Sequence, residues 1–393
     1  MREDRNLIWT KKFYLFLIIT ALYFINNYML NPIIAGYTSF LGGNGAIIGL
    51  ISGAMSFVAL ILTPITGPLV DRFNRKLLAV LSFSLLLAAN ILFYITKNTE
   101  ILLAARVIQG IGFSFASVVM STSVSTMFPS KVVGKAISIY ASVQALAQAI
   151  GPSIGLMVRN KLGYPSTFFL AMLLTIGCLV LTLLAQDFGK MPEQPKTLRF
   201  RFNEIIAVNV LPLAITSVVS GFLLHIIQSY LDPFAELRGQ TAGVSLFFTV
   251  YACAMLLSRV CLSNLMDRKS IGEFLIVCCP MIAVSFYLIQ IQTNALILWL
   301  GGILCAVGLG TMQVMSQVSL VKNVEKDKKG LANSTYYMGM HLGHAIGGYL
   351  GGLWITGSGA QNFFYYFIPF ALIPIAASLL FRKLYFLGKS VTE

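Results

Sequence analysis

Charged residues are scarce in this sequence. Asp, Glu, Lys and Arg make up 11% of its 393 residues, whereas 57% are hydrophobic and the mean hydropathy is +0.81. A soluble globular domain carries about 25% charged residues, so this composition excludes that class. The six cysteines lie inside apolar runs with no metal-ligand spacing, so we expect buried thiols and not a metal site or disulfides. No cofactor is expected. What the sequence does contain is a series of long apolar runs, which predict an integral membrane protein.

Each apolar run is long enough to cross a bilayer as a helix, which takes about 20 residues. The runs predict an all-α membrane protein with twelve transmembrane helices. Their approximate bounds are 13–35, 45–68, 77–96, 101–128, 135–158, 166–186, 205–230, 242–264, 274–291, 295–320, 331–355 and 362–381.

The basic residues indicate how these spans are threaded. With both termini in the cytoplasm, 22 of the 28 Lys and Arg residues fall in cytoplasmic segments and four in outer loops, while Arg106 and Arg259 lie within spans. Positive residues in short loops stay on the cytoplasmic side of a membrane. The net charge of +14 therefore reflects topology, and no nucleic-acid partner is expected.

A polar linker over residues 188–204 divides the chain into two halves, 1–187 and 205–393. A shift of 196 residues places Asp71-Arg72 on Asp267-Arg268, and Gly151 and Gly155 on two glycines of the second half. We interpret this constant offset as a duplication that gives two pseudo-symmetric six-helix bundles. Alternating-access transporters use such repeats and bind substrate near the bilayer midplane, between the halves.

The segment from Gly67 to Lys76 resembles the loop between helices 2 and 3 of the major facilitator superfamily, and the resemblance extends over nearly the whole chain. Asn74 stands where that family usually has Gly. The resemblance implies a gating role for Gly67, Asp71 and Arg72, and the repeat extends this role to Asp267 and Arg268. A gating role for Arg75 is also expected, although topology alone also explains its charge.

Two further motifs resemble the same family. Arg106 to Gly112 resembles its helix 4 motif, which implies a cleft-lining role for Arg106 and Gln109. A buried charge is costly, so Arg106 needs a partner or water, or else it snorkels to the outer surface.

The segment from Gly151 to Gly155, with Pro152, resembles the G-P-x-x-G motif of exporters and implies gating. Leu156 replaces the expected second glycine. The alternative to gating is plain helix packing, because glycines four residues apart let helices approach closely.

Polar side chains within the spans are the remaining candidates for substrate binding or proton coupling. Imidazole titrates near neutral pH, which suits proton coupling or an anionic substrate group. No acid is expected at the bilayer centre, and the nearest, Asp232, is predicted just beyond the seventh span. The alternative for each candidate is a hydrogen bond between helices. The candidates are Asn26, Asn27, Asn31, Gln144, Gln148, His225, Gln313, Gln317, Tyr337, His341 and His344.

Together these features predict a multi-pass transporter that exports a small organic molecule by alternating access, coupled to protons. Neutral, zwitterionic or anionic amphipathic substrates fit the positive, amide-rich cleft. We expect a monomer in a bacterial cytoplasmic membrane. The alternatives are an importer or uniporter of the same fold and a non-transporting membrane sensor or scaffold. An enzyme is not expected, because the sequence has no HExxH motif and no nucleotide-binding loop.

Overall fold

A computed structural model describes residues 9–185, 188, 211–322, 329–382 and 385–386. Within these ranges the regular structure is helical, and no strand occurs there. The chain forms two compact units. Unit 1 comprises the described parts of Met1–Ile33 and Val58–Leu198, and unit 2 comprises those of Ile34–Phe57 and Arg199–Glu393. The predicted linker over residues 188–204 lies almost wholly outside the described residues.

Eleven α-helices and one 3-10 segment make up the described fold. They are α1 Lys11–Phe40, α2 Gly45–Arg72, α3 Arg75–Ile95, α4 Thr99–Met127, α5 Ser130–Leu184, α6 Leu211–Leu237, α7 Val244–Arg268, α8 Ile271–Gln290, α9 Ala295–Lys322, α10 Lys329–Ile355, the 3-10 segment Gly357–Phe367 and α11 Ile368–Leu380.

Side-chain caps begin several of these helices. The Asn74 side chain accepts a hydrogen bond from the Leu77 amide (3.2 Å), and the Asn98 side chain accepts one from the Glu100 amide (2.7 Å). Ser270 and Glu273 form a reciprocal capping box at the start of α8. These contacts satisfy amide groups that a helix leaves unpaired at its first turn. Asn74 is the residue that departs from the family motif, and capping explains its presence.

Nine helices of the described chain are long and apolar enough to cross a membrane. One of them, α5, contains two predicted spans, since Gly163 at φ +83° interrupts its helical backbone. Glycine adopts this left-handed conformation without strain. The predicted eighth span appears as α7, which is apolar over the shorter range Val244–Arg259, and the eleventh appears as α10. The multi-span helical fold is confirmed, whereas the number twelve and the cytoplasmic termini stay predictions.

The seventh predicted span, 205–230, is wrong at its outer end. Helix α6 continues to Leu237 and includes Pro233. Proline cannot donate the next helical hydrogen bond, so it commonly weakens or ends a helix. The helix instead tolerates that loss, as membrane helices do when neighbouring groups compensate. Asp232 therefore lies inside a helix and is only 3% exposed, instead of lying in a solvated outer loop.

Glycines set the closest helix contacts in each unit. In unit 1, a side chain added at Gly151 or Gly155 would collide with α1 at Tyr28 or Met29. In unit 2, one added at Gly343 would overlap the backbone of α6 at Val218 and Phe222. Such contacts bring helix axes close together and allow extensive van der Waals packing. The α6–α10 pair is held in this way along its length.

Candidate functional site

Arg106 and Gln109 form a buried hydrogen-bonded pair on α4 in unit 1. Arg106 Nη1 donates to Gln109 Oε1 over 2.7 Å, and each side chain is 1% exposed. Arg106 is thus enclosed by protein, which excludes the snorkelling alternative. Because a guanidinium group can only donate hydrogen bonds, it fixes which end of the Gln109 amide is the oxygen.

The other end of the Gln109 amide is its nitrogen, Nε2, which is a hydrogen-bond donor. Gln109 Nε2 is buried and makes no hydrogen bond with the described residues, and the same holds for Asn27 Oδ1 on α1. A buried polar atom without a partner costs about 1–3 kcal/mol. Such a cost is accepted where a ligand or water supplies the missing bond.

One interhelical hydrogen bond places Asn27 and Gln109 at the same depth in unit 1. The Tyr23 hydroxyl on α1 donates to the Phe113 carbonyl on α4 over 3.0 Å. Since successive spans alternate in direction, α1 and α4 run antiparallel. Asn27 lies one turn after Tyr23 on α1, and Gln109 lies one turn before Phe113 on α4, so both lie on the same side of this bond. A permanent cation, an amide donor and an amide acceptor are therefore gathered in one unit.

Asn26 belongs to a different arrangement, a hydrogen-bonded network that joins α1, α3 and the second part of α5. Asn26 Nδ2 donates to Thr175 Oγ1 over 3.1 Å. Asn90 Nδ2 donates to Thr175 Oγ1 over 2.8 Å and to the Ala171 carbonyl over 3.2 Å. This geometry corresponds to the interhelical alternative, whereas a cleft role for Asn26 stays a prediction. Asn90, an isolated amide in the third apolar run, was missed by sequence reasoning.

The loop that resembles the family motif is tied to the end of α4. Arg75 is 2% exposed, lies 3.8 Å from Asp71 through Nη2, and donates from Nη1 to Thr126 Oγ1 over 2.5 Å. Arg72 is exposed. The close backbone approach expected at Gly67 is absent, since no described atom lies within 4 Å of a side chain built there. Asp71 and Arg75 are therefore brought together.

The second copy of this loop lies at the end of α7. Arg268 is exposed there, and the side chain of Asp267 lies outside the described part of the structure. A gating role for both copies, and for Gly151, Pro152 and Gly155, stays a prediction.

Two histidines meet in unit 2. The ring centroids of His225 on α6 and His344 on α10 lie 5.5 Å apart with the rings at 77°. His225 Nε2 lies 3.2 Å from the Ser229 hydroxyl, and His344 Nδ1 lies 2.9 Å from the Met340 carbonyl. His341 lies one turn from His344 and is half-buried. Ser229 is the contact that sequence reasoning missed.

The remaining candidates differ in exposure. Gln313 is 6% exposed, and its Nε2 atom makes no hydrogen bond with the described residues. Tyr337 and Gln317 are hydrogen-bonded through their side chains. Asn31 is buried, whereas Gln144 and Gln148 are half-buried. Within the described ranges, no group of three or more His, Cys, Asp or Glu side chains could hold a metal ion.

The described helices, long and apolar with polar groups buried among them, define a multi-span membrane protein. Among solved structures, a POT family transporter in complex with a thioalcohol conjugated peptide superposes with a TM-score of 0.80 at 15% identity, covering 95% of this chain and 96% of its own. The nucleoside transporter NupG superposes with a TM-score of 0.72 at 14% identity, covering 95% and 99%. These similarities concern the fold.

The Major Facilitator Superfamily profile matches residues 16–287 and 274–390, so the chain belongs to this family of transporters and is not an enzyme. Multidrug resistance protein 1 of Bacillus subtilis (strain 168) is 23% identical over 317 residues, which cover 79% of this chain and 81% of that protein. Quinolone resistance protein NorA of Staphylococcus aureus (strain N315) is 24% identical over 124 residues, 32% of each chain. As a family member the chain carries a small-molecule substrate and sits in a lipid bilayer.

Proposed function

We propose that this protein is a secondary active transporter that exports a small organic molecule by alternating access in exchange for protons. The names of two relatives, a multidrug resistance protein and a quinolone resistance protein, support export of foreign amphipathic compounds. The G-P-x-x-G segment supports the same direction. We further propose a bacterial cytoplasmic membrane, a monomer, twelve helices and cytoplasmic termini.

The observation that carries the proposal is the buried Arg106–Gln109 pair, at the same depth in unit 1 as Asn27. A charge within a membrane helix costs at least about 2.5 kcal/mol, and such residues mark substrate or ion pathways. Here the cation and the amide nitrogen of Gln109 are both hydrogen-bond donors, and the nitrogen has no partner among the described residues. They therefore suit a carbonyl, carboxylate or similar acceptor on the substrate.

Asn27 supplies the opposite chemistry. Its unsatisfied oxygen suits a hydroxyl or amine donor of the substrate. A ligand that carries both an acceptor group and a donor group, with apolar surface elsewhere, satisfies this set of atoms. Neutral, zwitterionic and anionic amphipathic molecules meet that description, whereas simple organic cations do not.

Transport by purified protein in liposomes tests this function. With an imposed pH gradient, we expect the wild type to accumulate a zwitterionic or anionic amphipathic compound against its gradient. Protons should leave the compartment that gains the compound and enter the opposite compartment in proportion. Oriented vesicles determine the direction of transport. Equal accumulation with and without the pH gradient would contradict proton coupling, and transport restricted to permanently cationic compounds would contradict the substrate class.

A further inference from the structure

We propose that His225 and His344 together form the proton-binding site of this transporter and that the pair binds one proton per transport cycle. This inference rests on the proposed function, because it names the groups that bind the exchanged proton. It differs from the carboxylate mechanism expected of proton-driven exporters.

The protonation state of His344 follows from its hydrogen bond. The Met340 carbonyl can only accept, so the neutral imidazole of His344 carries its hydrogen on Nδ1 and donates it over 2.9 Å. The Nε2 atom of His344 is then unprotonated, and its lone pair can accept a proton. Protonation at Nε2 converts the ring to an imidazolium ion without breaking the bond to Met340.

The second imidazole limits the pair to one proton. The two rings are 5.5 Å apart between centroids, His225 is only 2% exposed, and two cations at that distance repel each other strongly. The groups therefore titrate as a unit that holds zero or one proton, and the proton belongs to the pair more than to either ring.

The backbone around His225 suits a transient positive charge. Ser229 Oγ lies 3.2 Å from His225 Nε2 and, as a hydroxyl, can either donate or accept as the ring changes state. Pro233 has no amide hydrogen, so the Ser229 carbonyl receives no hydrogen bond from the residue that normally supplies it.

Glycine packing fixes the distance between the two rings. Gly343 and Gly347 flank His344, and a side chain at either position would collide with the backbone of α6. A side chain at Gly347 would also lie 3.4 Å from Cβ of His225. Helices α6 and α10, which carry the two histidines, are therefore in close backbone contact at the level of the rings. The pair is part of a closely packed contact within unit 2.

Other titratable groups lie on the elements packed against α6 and α10, and the test has to separate them from the histidines. Asp232 is the strongest rival, since it is a buried acid two turns from His225 on the same helix. The unit 2 segment of α2 carries no titratable residue. Away from the helix ends, the others are Tyr230, Tyr251, Cys253, Arg259, Cys261, Cys305, Tyr336, Tyr337, His341, Tyr349, Tyr365 and Tyr366.

The test uses His344→Asn, because the asparagine amide can still donate to the Met340 carbonyl but cannot bind a proton at the position of Nε2. Substrate-driven proton flux is measured with a pH-sensitive dye inside proteoliposomes, alongside substrate–substrate exchange without a gradient. We expect proton flux per substrate to fall about tenfold or more while exchange is retained. Proton flux retained in His344→Asn but lost in Asp232→Asn would overturn the proposal.

A second measurement does not depend on any variant folding. The protein contains three histidines, so isotope labelling of histidine alone yields a ring NMR spectrum with few signals. We expect the two paired rings to gain one proton between them over the pH range in which transport activates. No protonation of either ring in that range would refute the site. A wild type that transports without moving protons would instead refute the proposed function, so the two failures are distinguishable.

Discussion

Unit 1 and unit 2 bury different kinds of polar chemistry. Unit 1 encloses a guanidinium group with amides, while unit 2 holds a buried imidazole, a half-buried imidazole beside it and a buried carboxylic acid. Arginine stays protonated at all relevant pH values, whereas imidazole and carboxyl groups can change charge. On the proposed function, the difference separates the two tasks of an antiporter. A fixed charge in unit 1 binds substrate, and titratable groups in unit 2 bind the proton.

The largest expected effect comes from removing the fixed charge. Arg106→Ala deletes the donor to Gln109 and leaves a buried neutral acceptor unpaired, which costs about 1–3 kcal/mol. It also removes the cation proposed to bind substrate, and we expect substrate transport in proteoliposomes to fall by about 100-fold, which corresponds to about 3 kcal/mol. Arg159→Ala on α5 is the control and should stay within about twofold. Equal losses of transport in both variants would contradict the assignment of Arg106 to the substrate site.

Close packing of the proton-binding helices gives the next effect. Gly343→Leu forces a side chain into the backbone of α6, and overpacking of this kind costs about 1–3 kcal/mol or more. We expect a lower thermal unfolding midpoint in detergent and loss of proton flux.

The control for Gly343→Leu is Gly134→Leu, since a side chain at Gly134 meets nothing within 4 Å. Its midpoint should not fall. If both substitutions lower the unfolding midpoint equally, glycine is needed at these positions for helix flexibility and not for close helix contact.

The network in unit 1 should affect stability but not proton coupling. Asn90→Leu removes three hydrogen bonds to α1 and α5, each worth about 0.6 kcal/mol on average in a membrane. We expect a total loss of about 1–2 kcal/mol in unfolding free energy, with the ratio of protons to substrate unchanged. A changed ratio would mean that unit 1 also takes part in proton binding.

The smallest effect is expected at the loop between α2 and α3. Lys76 donates to the Leu183 carbonyl over 2.8 Å at an exposed position. Lys76→Ala should change stability by less than about 1 kcal/mol, because exposed contacts of lysine are weak. Thermal unfolding checks this value, and transport rates show whether the contact matters for gating. A transport loss greater than tenfold would assign Lys76 a role beyond topology.

Much of the fold could be predicted from local properties of the chain. The helix caps at Asn98 and Ser270, and the break at Gly163, follow rules that depend on a few neighbouring residues. The site was predicted less completely. Arg106 and Gln109 stand three residues apart, so their contact on one helical face could be anticipated. The contacts of Asn26 could not, because its partner Thr175 is 149 residues away.

The sequence by itself determined that this chain crosses a membrane repeatedly and buries a small set of polar side chains. That follows from the length of its apolar runs, since a helix in hydrocarbon satisfies its own backbone hydrogen bonds. Tertiary structure alone decided which buried groups meet. Asn26 pairs with Asn90 and Thr175, His225 lies beside His344, and Asp232 is enclosed, because helix packing and not local sequence sets the distances between side chains on different helices.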